Sequence, residues 1–196
     1  MLMSTAPQLS VNVRELLRTP GSHRHVHLRQ VLADVRTPMV AVDERQAVVV
    51  DAELENVVDG LLVTGRVQAT IQAECVRCLT AVSGHLDVPV QELFARSEAD
   101  AGEDDEPGYA VLPGEVLPLD TMVRDALVLA FPSAPRCRDD CAGLCPECGA
   151  DRNHTTCQHG GPVDPRWQPL AGLAGLAALN NAPDHQQEGH DARPEA

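Results

Sequence analysis

The chain has 196 residues, 43% of them apolar and 22% charged, a length that fits one domain able to bury a core of its own. Its net charge of −14, from 29 acidic against 15 basic residues, excludes a general nucleic-acid coat, because phosphate binding proceeds by counterion release to Lys and Arg. No basic segment followed by an apolar one opens it, and no run approaches the roughly 20 apolar residues of a membrane span, so it reads as soluble and cytoplasmic.

Residues 1–10 read as a flexible lead. Asn12-Val13-Arg14-Glu15 then has the form of a capping box, predicting a short helix through Leu16 and Leu17 to Arg18 that Pro20-Gly21 ends. A strand is expected from His23 to Leu28, with His23, His25 and His27 on one face as exposed polar positions. Val48, Val50, Ala52 and Leu54 alternate with Val49, Asp51, Glu53 and Glu55, which predicts a strand with one apolar face. Asp59-Gly60 marks a hairpin turn, and Val63, Val67, Ala69, Ile71 and Ala73 alternate along the return strand. Val82, Leu86, Val88 and Val90 continue the alternation, so Cys75 and Cys78 fall at the tip of a second hairpin.

Residues 97–108 are acidic, lack hydrophobic periodicity and read as a solvated loop. Asp120 is expected to cap a helix whose apolar face, Met122, Val123, Ala126, Leu127 and Ala130, packs on the sheet before Pro132 and Pro135. Asp164-Pro165-Arg166-Trp167 predicts a further short helix carrying Leu170, Leu173, Leu176 and Leu179, followed by a disordered tail over 180–196. The fold class is α+β: an antiparallel β-rich body over 11–135 with two or three short helices, then a zinc-binding segment over 136–179.

Seven cysteines in a chain without a secretion signal point to metal rather than disulfides. Cys75-Val76-Arg77-Cys78 and Cys145-Pro146-Glu147-Cys148 have the spacing of knuckles that wrap two thiolates around a tetrahedral ion, and Gly149 lets the second turn with positive φ. With Cys137, Cys141, Cys157 and His159 the chain offers eight ligands, enough for two closed Zn2+ sites. One pairing joins Cys75 and Cys78 to Cys137 and Cys141, and Cys145 and Cys148 to Cys157 and His159. Its rival gathers Cys137, Cys141, Cys145 and Cys148 and leaves the upstream pair free. The first is favoured because it clips the hairpin tip to a distant segment and closes a long loop. His154 competes with His159 for the last position.

Sites with four protein ligands keep no open position for catalysis, and Glu147 reads as a solvated charge rather than a general base. The alternative is a thiol-disulfide oxidoreductase using Cys75 and Cys78. That chemistry expects its dithiol at a helix N-terminus after a strand, whereas this pair joins two strands.

Glu74-Cys75-Val76-Arg77-Cys78-Leu79, Gly143-Leu144-Cys145-Pro146-Glu147-Cys148-Gly149 and Asp164-Pro165-Arg166-Trp167 together resemble the YceD family, the large ribosomal RNA subunit accumulation proteins. The likeness extends from Val13-Arg14-Glu15-Leu16-Leu17 through Gln91-Glu92-Leu93-Phe94 to Leu173. It implies a bacterial or plastid protein tied to accumulation of large-subunit ribosomal RNA, and no enzymatic activity is implied by it. Many relatives end the cluster with Cys-x-Cys where this chain has Cys157-Gln158-His159, and Arg152-Asn153 stands where Leu-Asn is more usual. The expected function is a non-catalytic assembly factor whose partner is precursor large-subunit rRNA or a large-subunit ribosomal protein. Arg77, Arg136, Arg138 and Arg152 are its candidate phosphate contacts. A second class is an interaction module whose acidic loop holds a basic ribosomal protein.

Overall fold

The computed structural model describes residues 9–97 and 108–159, together with Arg166 and Leu170. In chain order its elements are β1 (Ser10–Asn12), α1 (Arg14–Arg18), β2 (His23–Gln30), β3 (Val40–Val42), β4 (Val48–Val57), β5 (Gly60–Glu74), β6 (Ala81–Ala95), β7 (Tyr109–Ala110), β8 (Val116–Pro118) and α2 (Asp120–Leu129). Strands β4, β5 and β6 form two successive antiparallel hairpins. β2 pairs with β4, β3 with the far end of β5, and β7 lies parallel to the end of β6; β1 and β8 form a separate two-stranded ribbon. Val57 pairs with Gly60, so the first hairpin turns on Val58-Asp59, one residue earlier than the dipeptide signal suggests.

The period-two pattern decides which face of the sheet is buried. Val48, Val50, Ala52 and Leu54 of β4 and Leu61, Val63, Val67, Ala69 and Ile71 of β5 point into one core. α2 closes that core with Met122, Val123 and Leu127, packing against β5 and β6 as its apolar stripe predicts. The opposite face is polar: Asp51 bonds His25 Nε2 at 2.8 Å and His27 Nδ1 at 3.0 Å, and Arg66 Nε donates to Asp87 Oδ1 at 2.7 Å. His23, His25 and His27 are exposed, as expected.

Several expectations shift at the helix ends. Residues 1–8 of the expected lead lie outside the described residues, but Leu9 is buried; its N–H donates to Asp120 Oδ1 at 2.9 Å and its carbonyl accepts the Leu119 N–H. Leu119, not Asp120, occupies the cap position of α2, and the Asp120 carboxylate serves as the clamp on Leu9. At α1 the capping box reduces to one bond, from the Arg14 N–H to Asn12 Oδ1 at 3.1 Å. The end of α1 is instead held by buried Asn56, whose Nδ2 donates to Leu16 O at 2.8 Å and Thr19 O at 3.0 Å while Oδ1 accepts from Arg96.

The described residues contain two helices, so the chain is strand-rich with fewer helices than the upper expectation. The helix expected after Asp164 lies outside the described residues apart from Arg166 and Leu170, as do residues 98–107 of the acidic loop and the tail over 180–196. Among the described residues no helix is long and apolar enough to cross a membrane.

Candidate metal centre

The 15-residue strands β5 and β6 carry their connecting loop, residues 75–80, to the end of the longest hairpin in the protein. The Cys75 N–H donates to Thr80 O and the Leu79 N–H to Cys75 O, both at 2.9 Å, which curls the loop back on itself. Leu79 takes φ of 59° to do so. Both sulfurs of the loop face the segment after α2, and Cys75, Cys78, Cys137 and Cys141 bring four Sγ atoms within 4.8 Å of one another. Cys75 and Cys141 Sγ are 3.8 Å apart, and Cys78 and Cys137 Sγ 3.5 Å. These separations exceed any disulfide and match the edge of a tetrahedron, about 3.8 Å for metal–sulfur bonds of about 2.3 Å.

Residues 145–150 repeat the loop bond for bond. The Cys145 N–H donates to Ala150 O at 2.8 Å, the Gly149 N–H to Cys145 O at 2.9 Å, and Gly149 stands where Leu79 does, with φ of 70°. Glycine at that position avoids the left-handed cost that Leu79 bears. Cys145, Cys148, Cys157 and His159 form the second group, their ligand atoms again within 4.8 Å of one another. The first group is sheltered, with Cys75, Cys78 and Cys141 buried; in the second only Cys145 is buried, and Cys148 and His159 are exposed.

The ionisation of the thiols follows the same repeat. Burial opposes the Cys75 thiolate, but N–H groups of Arg77, Cys137 and Cys78 outweigh it and bring the thiol down to about 6. The N–H groups of Cys148 and Glu147 do the same for Cys145, also to about 6. Cys137, sharing a hydrogen bond with Cys78, is pushed up to about 12, and Cys157 is raised by its contact with Cys145. In each cluster one thiol is thus drawn down while a neighbour is pushed up. A divalent cation is the partner that lets all of them ionise together.

Besides the contacts among the sulfurs, three bonds to carbonyl oxygens stitch the C-terminal segment to the hairpin. The Val76 N–H donates to Pro135 O, the Leu144 N–H to Arg77 O, and Arg77 Nη1 to Cys141 O, at 2.9, 3.0 and 2.7 Å. Gly143 lies so close that a Cβ there would sit 3.1 Å from Arg77 O. Asn153 joins the two clusters: Nδ2 donates to Cys141 Sγ at 3.4 Å and to Asp151 Oδ1 at 2.7 Å. Its Oδ1 accepts from the Ala142 N–H and Arg138 Nη2, both at 2.8 Å. Reading the sequence for ligands alone passed over this residue. Its signal is Asp151-Arg152-Asn153, in which the aspartate carboxylate accepts the N–H two residues on and fixes a turn.

The ligand atoms thus gather in the split pairing, not in the rival grouping of Cys137, Cys141, Cys145 and Cys148. His159 joins the second group, while exposed His154 faces Asp151 at 3.8 Å. The four arginines separate into two kinds. Arg77 is tied to Cys141 O, and Arg138 to Asn153 and to Asp140 at 3.2 Å, so both serve the scaffold. Among the described residues the exposed Arg136 and Arg152 side chains form no hydrogen bond or ion pair; Arg136 lines a 410 Å³ groove with Ile71, Val82, Gly84, Pro135 and Asp139.

The family model for the large ribosomal RNA subunit accumulation protein YceD matches residues 63–174. Uncharacterized proteins of Mycobacterium tuberculosis and Mycobacterium bovis are each 35% identical to this chain over 177 residues, covering 87% of it and 83% of their own length. One of Mycobacterium leprae is 35% identical over 148 residues, covering 72% of this chain and 66% of its own. No solved structure matches.

Proposed function

The chain belongs to the YceD family, and from that membership and its paired ligand clusters we propose that it is a non-catalytic zinc-binding factor of large ribosomal subunit biogenesis. The observation that carries the reading is the convergence of eight ligand atoms from distant parts of the chain into two four-member sets. Four-thiolate and three-thiolate, one-imidazole donors at tetrahedral spacing suit Zn2+, and four protein ligands leave no position for a reactive water. Cys75, Cys78, Cys137 and Cys141 hold one ion; Cys145, Cys148, Cys157 and His159 hold the other. The ions supply charge neutralisation and tethering, and the residues around them supply the surface.

In the cytoplasm, where ribosomal subunits assemble, that surface meets either precursor large-subunit rRNA or a large-subunit ribosomal protein. Local contact with RNA fits the exposed, uncommitted Arg136 and Arg152 better than Arg77 and Arg138, whose guanidinium groups are already engaged. A thiol oxidoreductase built on Cys75 and Cys78 is less well supported. Although Cys75 ionises readily, both sulfurs are buried against Cys141 and Cys137 and offer no approach to a substrate disulfide.

Elemental analysis of protein purified without added metal tests the first half; two zinc ions per chain is the expected result, and a folded, metal-free chain overturns it. Mobility-shift assays with large-subunit rRNA fragments test the second. Loss of binding in Arg136→Ala/Arg152→Ala supports an RNA contact there, and unchanged binding rejects these residues as the contact.

A further inference from the structure

We infer that the two metal centres fill cooperatively, and that the Asn153 carboxamide is the positioning group that couples them. This inference rests on the zinc reading above. Asn153 lies in the loop between Cys148 and Cys157, ligands of the second centre, yet its Nδ2 reaches a sulfur of the first, Cys141 Sγ, at 3.4 Å. The same loop is held to the Cys141-Ala142-Gly143 turn by the Arg152 N–H on Gly143 O at 2.9 Å and the Ala142 N–H on Asn153 Oδ1 at 2.8 Å. The Gly143-Leu144 stretch in turn lies against Arg77 of the first knuckle, through the Leu144 N–H on Arg77 O. An ion at the second centre fixes the loop at both ends and so presents Asn153 to the first.

The orientation of the carboxamide follows from its neighbours. The Ala142 N–H and the Arg138 guanidinium can only donate, so they face Oδ1; the Asp151 carboxylate and the Cys141 thiolate accept, so they face Nδ2. Every hydrogen-bonding direction of the group is used, three of them toward Arg138, Cys141 and Ala142 at the first centre and one toward Asp151 in its own loop. An N–H donor on a ligating sulfur acts as outer-shell partners do elsewhere, by orienting the ligand and spreading its charge. Coupling is reciprocal: if the second ion prepares Cys141 for the first, the first holds Asn153 in place for the second.

Asn153→Asp tests this with little change of shape, since it keeps an acceptor toward Ala142 and Arg138 but turns an acceptor toward Asp151 and Cys141. The reduced, metal-free full chain is titrated with Co2+ and then Zn2+, read by visible absorption, which separates four-thiolate from three-thiolate, one-imidazole cobalt, and by native mass spectrometry. In the wild-type chain both spectra rise together and the one-metal species stays below its statistical share. In Asn153→Asp, and in Cys157→Ser, which cripples only the second centre, metal affinity at the first centre falls about 10- to 100-fold. In Asn153→Asp the one-metal species also accumulates. Circular dichroism of the β-body verifies that the variants fold. Two metals bound in statistical proportion, with first-centre affinity unmoved by Asn153→Asp, overturn the coupling while leaving the zinc reading intact. A chain that takes up no metal overturns both.

Discussion

Stripping the metal should release the C-terminal segment and spare the sheet. The apolar core draws its buried residues from Leu9 to Leu127, with Phe131 as the last side chain packed against it, so nothing from Pro132 to His159 contributes to it. What holds that segment besides a metal is a small cluster of Cys75, Cys78 and Cys141 with Val82 and Leu144, the weak contacts among the sulfurs, and three bonds to carbonyl oxygens across to the hairpin. At about 1 kcal/mol net each, those bonds supply about 3 kcal/mol. Ordering about two dozen residues costs about 1–2 kcal/mol apiece, which is several times more even after the segment's own turn bonds are counted. Structural zinc, at roughly 10–16 kcal/mol per site, is of the size needed to close that gap. Hydrogen exchange read by mass spectrometry checks it: after chelation under reducing conditions, the amides of Cys141, Leu144, Cys145, Gly149 and Arg152 should exchange at the rate of free chain. Those of β4 and β5 should keep their protection. If the segment retains its protection without metal, its order has another source and the tethering argument fails.

Three further outcomes are expected. His159→Ala should weaken metal binding at the second centre while His154→Ala leaves both centres intact; competition with a chromophoric chelator measures this, and equal effects of the two would remove His159 as the ligand. Asn56→Ala should cost about 2–3 kcal/mol in urea denaturation, because it removes three hydrogen bonds at about 1 kcal/mol each, leaving Leu16 O and Thr19 O with their bonds from Ser22 and Arg96 with its bond to Val57 O; a loss below about 0.5 kcal/mol would show that water replaces it. The Asp43 carboxyl, held well below its ordinary 3.8 by its hydrogen bonds with Arg45, binds a proton more readily in the unfolded chain than in the folded one. Its stabilisation is therefore present above about pH 4 and lost as pH falls through the folded value, so Asp43→Asn should flatten the decline of stability with acid relative to the parent chain.

What the sequence disclosed and what it hid divide along a physical line. β4 and β5 alternate so regularly, from Val48 to Leu54 and from Val63 to Ile71, that burial on one face was the only way to satisfy them. The knuckles were equally plain, since Cys-x-x-Cys is a local geometry written in local residues. β1, β3, β7 and β8 were not anticipated, because strands of two or three residues carry no period and exist only through their partners. Asp120 illustrates the same limit. A carboxylate at a helix start has a local use as a cap, and here a nonlocal one, the N–H of Leu9 some 111 positions away, takes it. Asn153 was overlooked for a related reason: it is not a ligand, and its importance lies in touching the sulfur of a centre to which its own loop does not belong.

The repeat of one knuckle at two places suggests why the protein carries both. The first knuckle sits on a hairpin whose strands already fix Cys75 and Cys78, so an ion there would need only to capture Cys137 and Cys141 from the chain that follows α2. The second knuckle has no such support; its loop is folded on itself and leans on the first through Gly143, Leu144 and Asn153. Order therefore spreads outward from the sheet, hairpin to sheltered centre to exposed centre, each step resting on the one before. Arg136 lies beside the first centre and Arg152 within the loop of the second, so a partner that contacts both reads the whole tethered segment at once. On the zinc reading proposed above, such a surface would exist only while both ions are held, and metal occupancy, rather than any chemistry at the metal, would govern recognition.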